Sequence, residues 1–272
     1  MAIDEERYRQ YRKEMQSLQG DLSFAEYQRT ARAKLIDLFA KGELDPENTP
    51  RLRRIVRSIF GDEVARFTDD IVEKYDQTLD VVNELYDDLG VDVERDWQRI
   101  RAVEEATRQE LGEYETSTVR SINQAVRAAT TQSEGVDGLK KRLDDVGGRA
   151  AFYADTIAKT QVKTVSRAAK AEKSRIADVR LLQYVGIIRD TTRPFCRAML
   201  DVTLNLDTIR KLRNGNREPV LLNCGGWNCI HDWEPDPFAS EPDSTDLFEL
   251  RQGVRLAGGP QVKQTYQTAL AA

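Results

Sequence analysis

The chain reads as a mainly α protein, with an extended N-terminal helical bundle or arm and a small α+β C-terminal core. Three observations predict it. Charged residues make up 32% of the 272 residues and aromatic ones only 7%, with a mean hydropathy of −0.60, a composition poor in compact core and rich in solvated helix. Apolar residues recur at spacings of three and four through the first two-thirds. After Val179 the texture changes to a short apolar run, turn residues, and all of the chain's cysteines and its single histidine.

Ser23-Phe-Ala-Glu26 reads as a capping box opening a helix that runs to Lys41-Gly42, where glycine ends it. Asp45-Pro46 through Pro50 is a break, and Pro50 suits the first turn of the next helix. Ile55, Ile59, Val64, Phe67, Ile71, Tyr75, Leu79, Val82 and Tyr86 carry that helix, with a kink expected at Gly61 and an end at Gly90. A further helix carries Val93, Trp97, Ile100, Leu111, Val119, Ile122 and Val126 and stops near Ser133-Glu-Gly135. Gly147-Gly148 reads as a hinge. The helix after it, Arg149 to Val179, sets an apolar face (Ala158, Val162, Val165, Ala169, Ile176, Val179) beside a basic stripe of Lys159, Lys163, Arg167 and Lys170. That stripe reads either as a partner or phosphate-backbone contact or as a solvated face.

Beyond it, Leu181–Ile188 reads as a strand, Thr191 or Thr192 as the cap of a short helix through Leu200, and Asp207–Leu212 as another short helix. Asn214–Pro219 is a turn-rich loop, Ser240–Thr245 a linker, and Val262–Ala272 a terminal helix. The expected organisation is a helical arm over 1–148, a core over 149–238, and a linker with tail over 239–272.

Charge is unevenly placed. Thirteen acidic and three basic residues lie between Asp62 and Asp96, against eight basic and three acidic between Arg149 and Arg180. Such blocks suggest pairing within the chain or between copies, or two solvated faces. The net charge of −5 argues against wholesale nucleic-acid binding. No apolar run approaches the ~20 residues that cross a bilayer. The charged N-terminus lacks the apolar core of a secretion signal, so synthesis in the cytosol and no membrane contact are expected.

Cys196, Cys224, Cys229 and His231 match the ligand count of a tetrahedral structural zinc site. The obstacle is Cys229-Ile-His231, since alternate residues on a strand point to opposite faces. Both reach one ion only if the backbone turns between them. Two alternatives stay open: a disulfide from Cys196 to Cys224 or Cys229, and cysteines that are simply buried core. Trp227 and Trp233 read either as partner-facing anchors or as the small core around a turn. Asp190 and Arg193 read as a local ion pair or a helix cap. No glycine-rich phosphate loop, His-Glu-x-x-His or Gly-x-Ser-x-Gly pattern appears, and a Cys–His nucleophile pair lacks an orienting third group, so no enzyme is expected.

The ordered set of features over residues 150 to 236 resembles the core of the phage head morphogenesis proteins, the minor head proteins similar to protein F of phage Mu. It comprises the helix with Ile157-Ala-Lys-Thr-Gln-Val-Lys-Thr, a strand, Asp190-x-Thr192-Arg193-x-x-Cys196, and then Gly225-Gly226-Trp227-Asn228-Cys229-Ile-His231-x-Trp233-x-Pro235. Ile230 stands where the family has Arg, and Cys224 lies outside the family pattern. The resemblance implies a structural virion protein at the head or head–tail junction, assembled in the bacterial host cytoplasm. Its implied partners are portal, capsid or neck proteins and further copies of itself in a ring. A second reading is a zinc-stabilised nucleic-acid-binding module contacting packaged DNA through the basic stripe. A third, ranked last, is an effector enzyme fused to this core.

Overall fold

The computed structural model describes residues 5–20, 22–90, 97–176, 179, 181–214 and 218–236. Its helices are α1 (Glu5–Gly20), α2 (Ala25–Ala40), α3 (Thr49–Asp88), α4 (Trp97–Thr131), α5 (Gly135–Ile176), α6 (Pro194–Met199), α7 (Leu206–Lys211) and α8 (Val220–Asn223). Its strands are β1 (Leu181–Val185), β2 (Thr203–Asn205) and β3 (Asp232–Pro235). The fold is mainly α with one small antiparallel sheet of order β2-β1-β3, as expected from composition and periodicity. Among the described residues no helix is long and apolar enough to cross a membrane.

Two compact units share these elements. One comprises residues 18–74 and 102–161, and the other 1–17, 75–101 and 162–272. The expected division at Gly148 does not mark them, because α5 runs unbroken through Gly147-Gly148. Gly147 has a packing role: a Cβ there would come within 2.5 Å of the Gln28 side chain on α2. Gly61 likewise lies inside the continuous α3.

The first unit is built from α2 with parts of α3, α4 and α5. Phe24 is fully buried at its centre, edge-on to Phe60, Phe67 and Tyr114 at 5.8, 5.0 and 5.6 Å. That burial displaces the expected capping box. The Phe24 backbone N–H donates to Asp155, and the Ser23 hydroxyl accepts only from Ala25, at 3.4 Å. The start of α3 is capped as Pro50 suggested, with Asn48 Oδ1 accepting from the Arg51 N–H at 3.1 Å. Gly42 and Gly90 close α2 and α3 at φ of 72° and 78°, where a Cβ would be strained.

In the second unit, Tyr11 and Met15 of α1 pack on Val82, Leu85 and Tyr86 of α3. Tyr86 is anchored to α5 by donating to the Lys170 carbonyl at 2.9 Å. Tyr8 of α1 donates to Glu234 of β3 at 3.0 Å, and Arg12 pairs with the same carboxylate at 3.1 Å. The sheet pairs Leu182 with Leu204 and Tyr184 with Trp233. The expected strand stops at Val185, and Ile187 and Ile188 are exposed beyond it. Neither Thr191 nor Thr192 caps α6. Arg193 holds the cap position without a side-chain bond, and the Thr192 hydroxyl instead accepts from the Arg189 N–H at 2.7 Å. The expected helix over 207–212 appears as α7, capped by Asn205 Oδ1 accepting from the Thr208 N–H at 2.8 Å. β2, β3 and α8 were not anticipated. The expected linker and terminal helix beyond residue 239, and Val93, lie outside the described residues.

Candidate metal centre

Two of the three cysteines and the histidine reach one place from two segments of the second unit. Cys196 sits on α6, whose first turn begins with Pro194. Cys229 and His231 lie on irregular chain between α8 and β3. Because 229–231 precedes the strand, the alternation that made a shared site awkward does not apply. Positive φ at Cys224 (47°), Gly226 (104°) and Asn228 (55°) curls the approach, and the Cys229 N–H closes the turn on the Gly226 carbonyl at 3.0 Å.

Cys229 Sγ lies 3.6 Å from Cys196 Sγ and 3.6 Å from His231 Nδ1. The three donor atoms fall within 4.8 Å of one another, and all three residues are buried. With Zn–S of ~2.3 Å and Zn–N of ~2.0–2.1 Å, tetrahedral ligands stand ~3.8 Å apart for two sulfurs and ~3.6 Å for sulfur and nitrogen. The Cys229–Cys196 and Cys229–His231 spacings match those edges. They are far longer than the ~2.05 Å of a disulfide, and all three cysteines are free. His231 Nε2 is buried without a hydrogen-bond partner among the described residues. Two thiols and the Nδ1 side of an imidazole, converging in a buried place, form a donor set that can hold a metal ion.

Cys224 does not join them. It ends α8 at positive φ, and its thiol is buried in the same core cluster as Cys196 and Cys229 but is not among the donor atoms that lie within 4.8 Å of one another. Burial pushes that thiol up to about 12. Of the four expected ligands, the structure brings Cys196, Cys229 and His231 together.

The two sulfurs are in hydrogen-bond contact. The Cys196 thiol donating to it, with His231 and the Arg167 cation adding to the effect, holds Cys229 far below the ordinary thiol range against the opposing effect of burial. Cys196 is pushed up by the same bond and by burial. The Gly225 N–H also donates to Cys229 Sγ at 3.3 Å. A Cβ on Gly225 would lie 2.2 Å from Cys196 Sγ, and one on Gly186 would lie 2.4 Å from the His231 ring, so both positions need glycine for room. Tyr184 stacks on His231 at 5.5 Å and sets its hydroxyl 3.4 Å from Cys196 Sγ and 3.8 Å from Cys229 Sγ.

The basic stripe is neither a solvated face nor a free partner surface. Lys163, Arg167 and Lys170 are 7%, 2% and 3% exposed; only Lys159 is half-buried. Arg167 donates to the carbonyls of Leu222 (2.9 Å), Cys229 (3.1 Å) and His231 (2.5 Å) and pairs with Asp232 at 3.3 Å. Lys170 pairs with the other Asp232 oxygen at 2.7 Å, and Lys163 reaches the Cys229 carbonyl at 3.3 Å. Burial and the neighbouring Arg167 bring the Lys163 ammonium down to about 8. The physical reason is the irregular 222–231 segment, whose carbonyls have no strand partner and must find donors.

Trp233 is core, edge-on to Tyr184 at 4.9 Å and donating to the Val220 carbonyl, while Trp227 stays 36% exposed. Arg193 donates to the Trp227 carbonyl at 2.6 Å, tying the α6 entry to the cysteine turn in place of the expected pairing with Asp190. Asp190 and Thr192 shape the loop before α6, where the Arg197 guanidinium binds the Arg189 and Thr192 carbonyls. Tyr184, Gly186 and Asp232 were missed as site residues. The signal for the first two was a strand tyrosine two residues before a glycine.

No protein-family model, curated protein or solved structure matches this chain.

Proposed function

We propose that the chain is a structural protein of a tailed-phage head, bound at the portal or inner capsid and supporting head assembly and head-to-tail joining. Its C-terminal core is a zinc-held docking module, not a catalytic one. The observation that carries the reading is that the separated parts of the head-morphogenesis pattern converge. The α5 helix, β1 and Arg193–Cys196 each contact the Gly225–Trp233 segment around a single Cys/His centre. Two thiols and an imidazole favour zinc over the oxygen-seeking magnesium or calcium. Cys196, Cys229 and His231 would hold the ion, which would cross-link α6 to the irregular segment before β3 and add to folding stability.

Portal, capsid or neck proteins and further copies in a ring are the proposed partners, and the virion the proposed location. The alternative of a zinc-stabilised module lying on packaged DNA depended on the basic stripe. Three of those four side chains are buried against backbone carbonyls and Asp232, which favours the docking module. Quantitative mass spectrometry of purified virions and assembling heads is the test. A low, fixed copy number near that of the portal ring is expected. Absence from both particles would overturn the assignment.

A further inference from the structure

A second constellation lies in the other unit, away from every motif residue. Arg53 and Arg57 stand four residues apart on α3, and Arg120 and Arg127 seven apart on α4, so each pair shares a helix face. The two faces meet across a cavity of about 290 Å³, which the four guanidinium-bearing side chains line together with Thr49 and Asn123. No acidic side chain lines it; Glu115 reaches only Arg57, from beside the cavity, at 3.6 Å. Among the described residues Arg53 and Arg120 have no ion-pair partner and are exposed.

The arrangement works against folding on its own. Like charges four apart on a helix repel, and four cations around one concavity repel further. In a chain of net charge −5 they are not a by-product of a basic composition. Arg127 is held in place by donating to the Thr49 hydroxyl at the start of α3, where free backbone N–H groups add positive potential. Its Nε is shielded from solvent and lacks an acceptor among the described residues. All four cations are arginine, whose planar fork matches the oxygens of a phosphate in pairs, whereas lysine offers a point charge.

We propose that this cavity binds phosphate groups. At ~30 Å³ per water it has room for about ten waters, enough for two or more adjacent phosphates. The source is either a small polyphosphate or the backbone of a nucleic-acid strand. The test titrates the full chain with sodium pyrophosphate, a nucleoside triphosphate, a single-stranded oligonucleotide and, as a carboxylate control, polyglutamate. Each titration is done at low and moderate salt, and repeated with R53Q/R120Q. Both sites are exposed, so this variant should keep the parent melting temperature. At least one phosphate probe should bind, and bind at least tenfold more weakly to the variant. Pyrophosphate or nucleotide binding without the oligonucleotide assigns a small ligand. Oligonucleotide binding that falls steeply with salt assigns the backbone. No binding by any phosphate probe, equal binding by the variant, or equal binding of polyglutamate would overturn the proposal.

Discussion

Arg167 decides whether the basic face of α5 is an internal strut or a contact surface. Truncation to Ala removes the donor to three carbonyls and one of the two cations that neutralise Asp232. Leaving a buried acceptor unpaired costs ~1–3 kcal/mol, and breaking a buried ion pair ~3–5 kcal/mol. These effects overlap, and Lys170 still holds Asp232 at 2.7 Å, so the expected loss is ~4 kcal/mol rather than their sum. With a urea slope of ~2 kcal/mol/M, the midpoint should fall by ~2 M. Arg167→Lys keeps the charge but loses the fork that spans the carbonyls, so it should lose ~2 kcal/mol. An exposed stripe residue would instead change stability by no more than ~0.5 kcal/mol. The assay is urea unfolding followed by tryptophan fluorescence. Trp97, Trp227 and Trp233 all fall in the same compact unit as Arg167, so the signal reports that unit. Midpoints of both variants within ~0.3 M of the parent would refute the strut.

Four more perturbations test the rest of the site and fold. Cys196→Ser, Cys229→Ser and His231→Ala should each abolish a stoichiometric bound zinc measured by plasma mass spectrometry, and Cys224→Ser should retain it; loss in Cys224→Ser equal to that in Cys229→Ser would restore the four-ligand set. Chelation should lower the melting temperature of the parent and leave that of Cys229→Ser unchanged, because an ion bound only to the folded state stabilises it by mass action. Gly225→Ala drives a Cβ to 2.2 Å from Cys196 Sγ and should lose ~1–3 kcal/mol together with the metal, whereas unchanged stability would mean that the turn has room to relax. At Asp88, hydrogen bonds from Tyr11 (2.7 Å) and Arg7 (3.0 Å) hold the carboxyl below its ordinary value. The folded state therefore releases the proton more readily than the unfolded one. The resulting stability is present above about pH 4 and is lost as pH falls through the folded value. Asp88→Asn should flatten the acid limb of a midpoint-against-pH series slightly, and an identical limb in the variant would remove Asp88 from it.

The long helices were legible because their apolar spacing extends over many turns, and Asn48-Thr-Pro50, Gly42 and Gly90 mark ends through local backbone geometry that sequence carries directly. The short elements were not. β2 is three residues and β3 four, too few for a period of two to register, and both depend on β1 as a template. The Ser23–Glu26 pattern misled because a local cap competes with tertiary burial, and Phe24 is fully buried. The glycine pair at 147–148 misled in the same way, since close packing against Gln28 and a hinge leave the same residues in the text. At the candidate metal centre, composition and clustering pointed to Cys196, Cys224, Cys229 and His231. That three of them converge depends on the backbone turns between α8 and β3, which no spacing rule encodes.

The stripe on α5 shows why a charge pattern on a helix is a weak guide to a partner. Lys163, Arg167 and Lys170 flank Val162 and Val165, which are fully buried, so the cations lie at the edge of a core face rather than opposite it. Their long stems pack there while their heads reach the carbonyls of the irregular chain that carries Cys229 and His231. Helix α6 supplies the second sulfur, and Arg193 ties that helix to the same turn. A segment with no ladder of its own is thus fixed by donors from α5 on one side and by the donor cluster on the other. Pieces of sequence dozens of residues apart each supply one wall of a single small enclosure. With Cys196, Cys229 and His231 only 1%, 3% and 2% exposed, that enclosure has the burial of a structural cross-link.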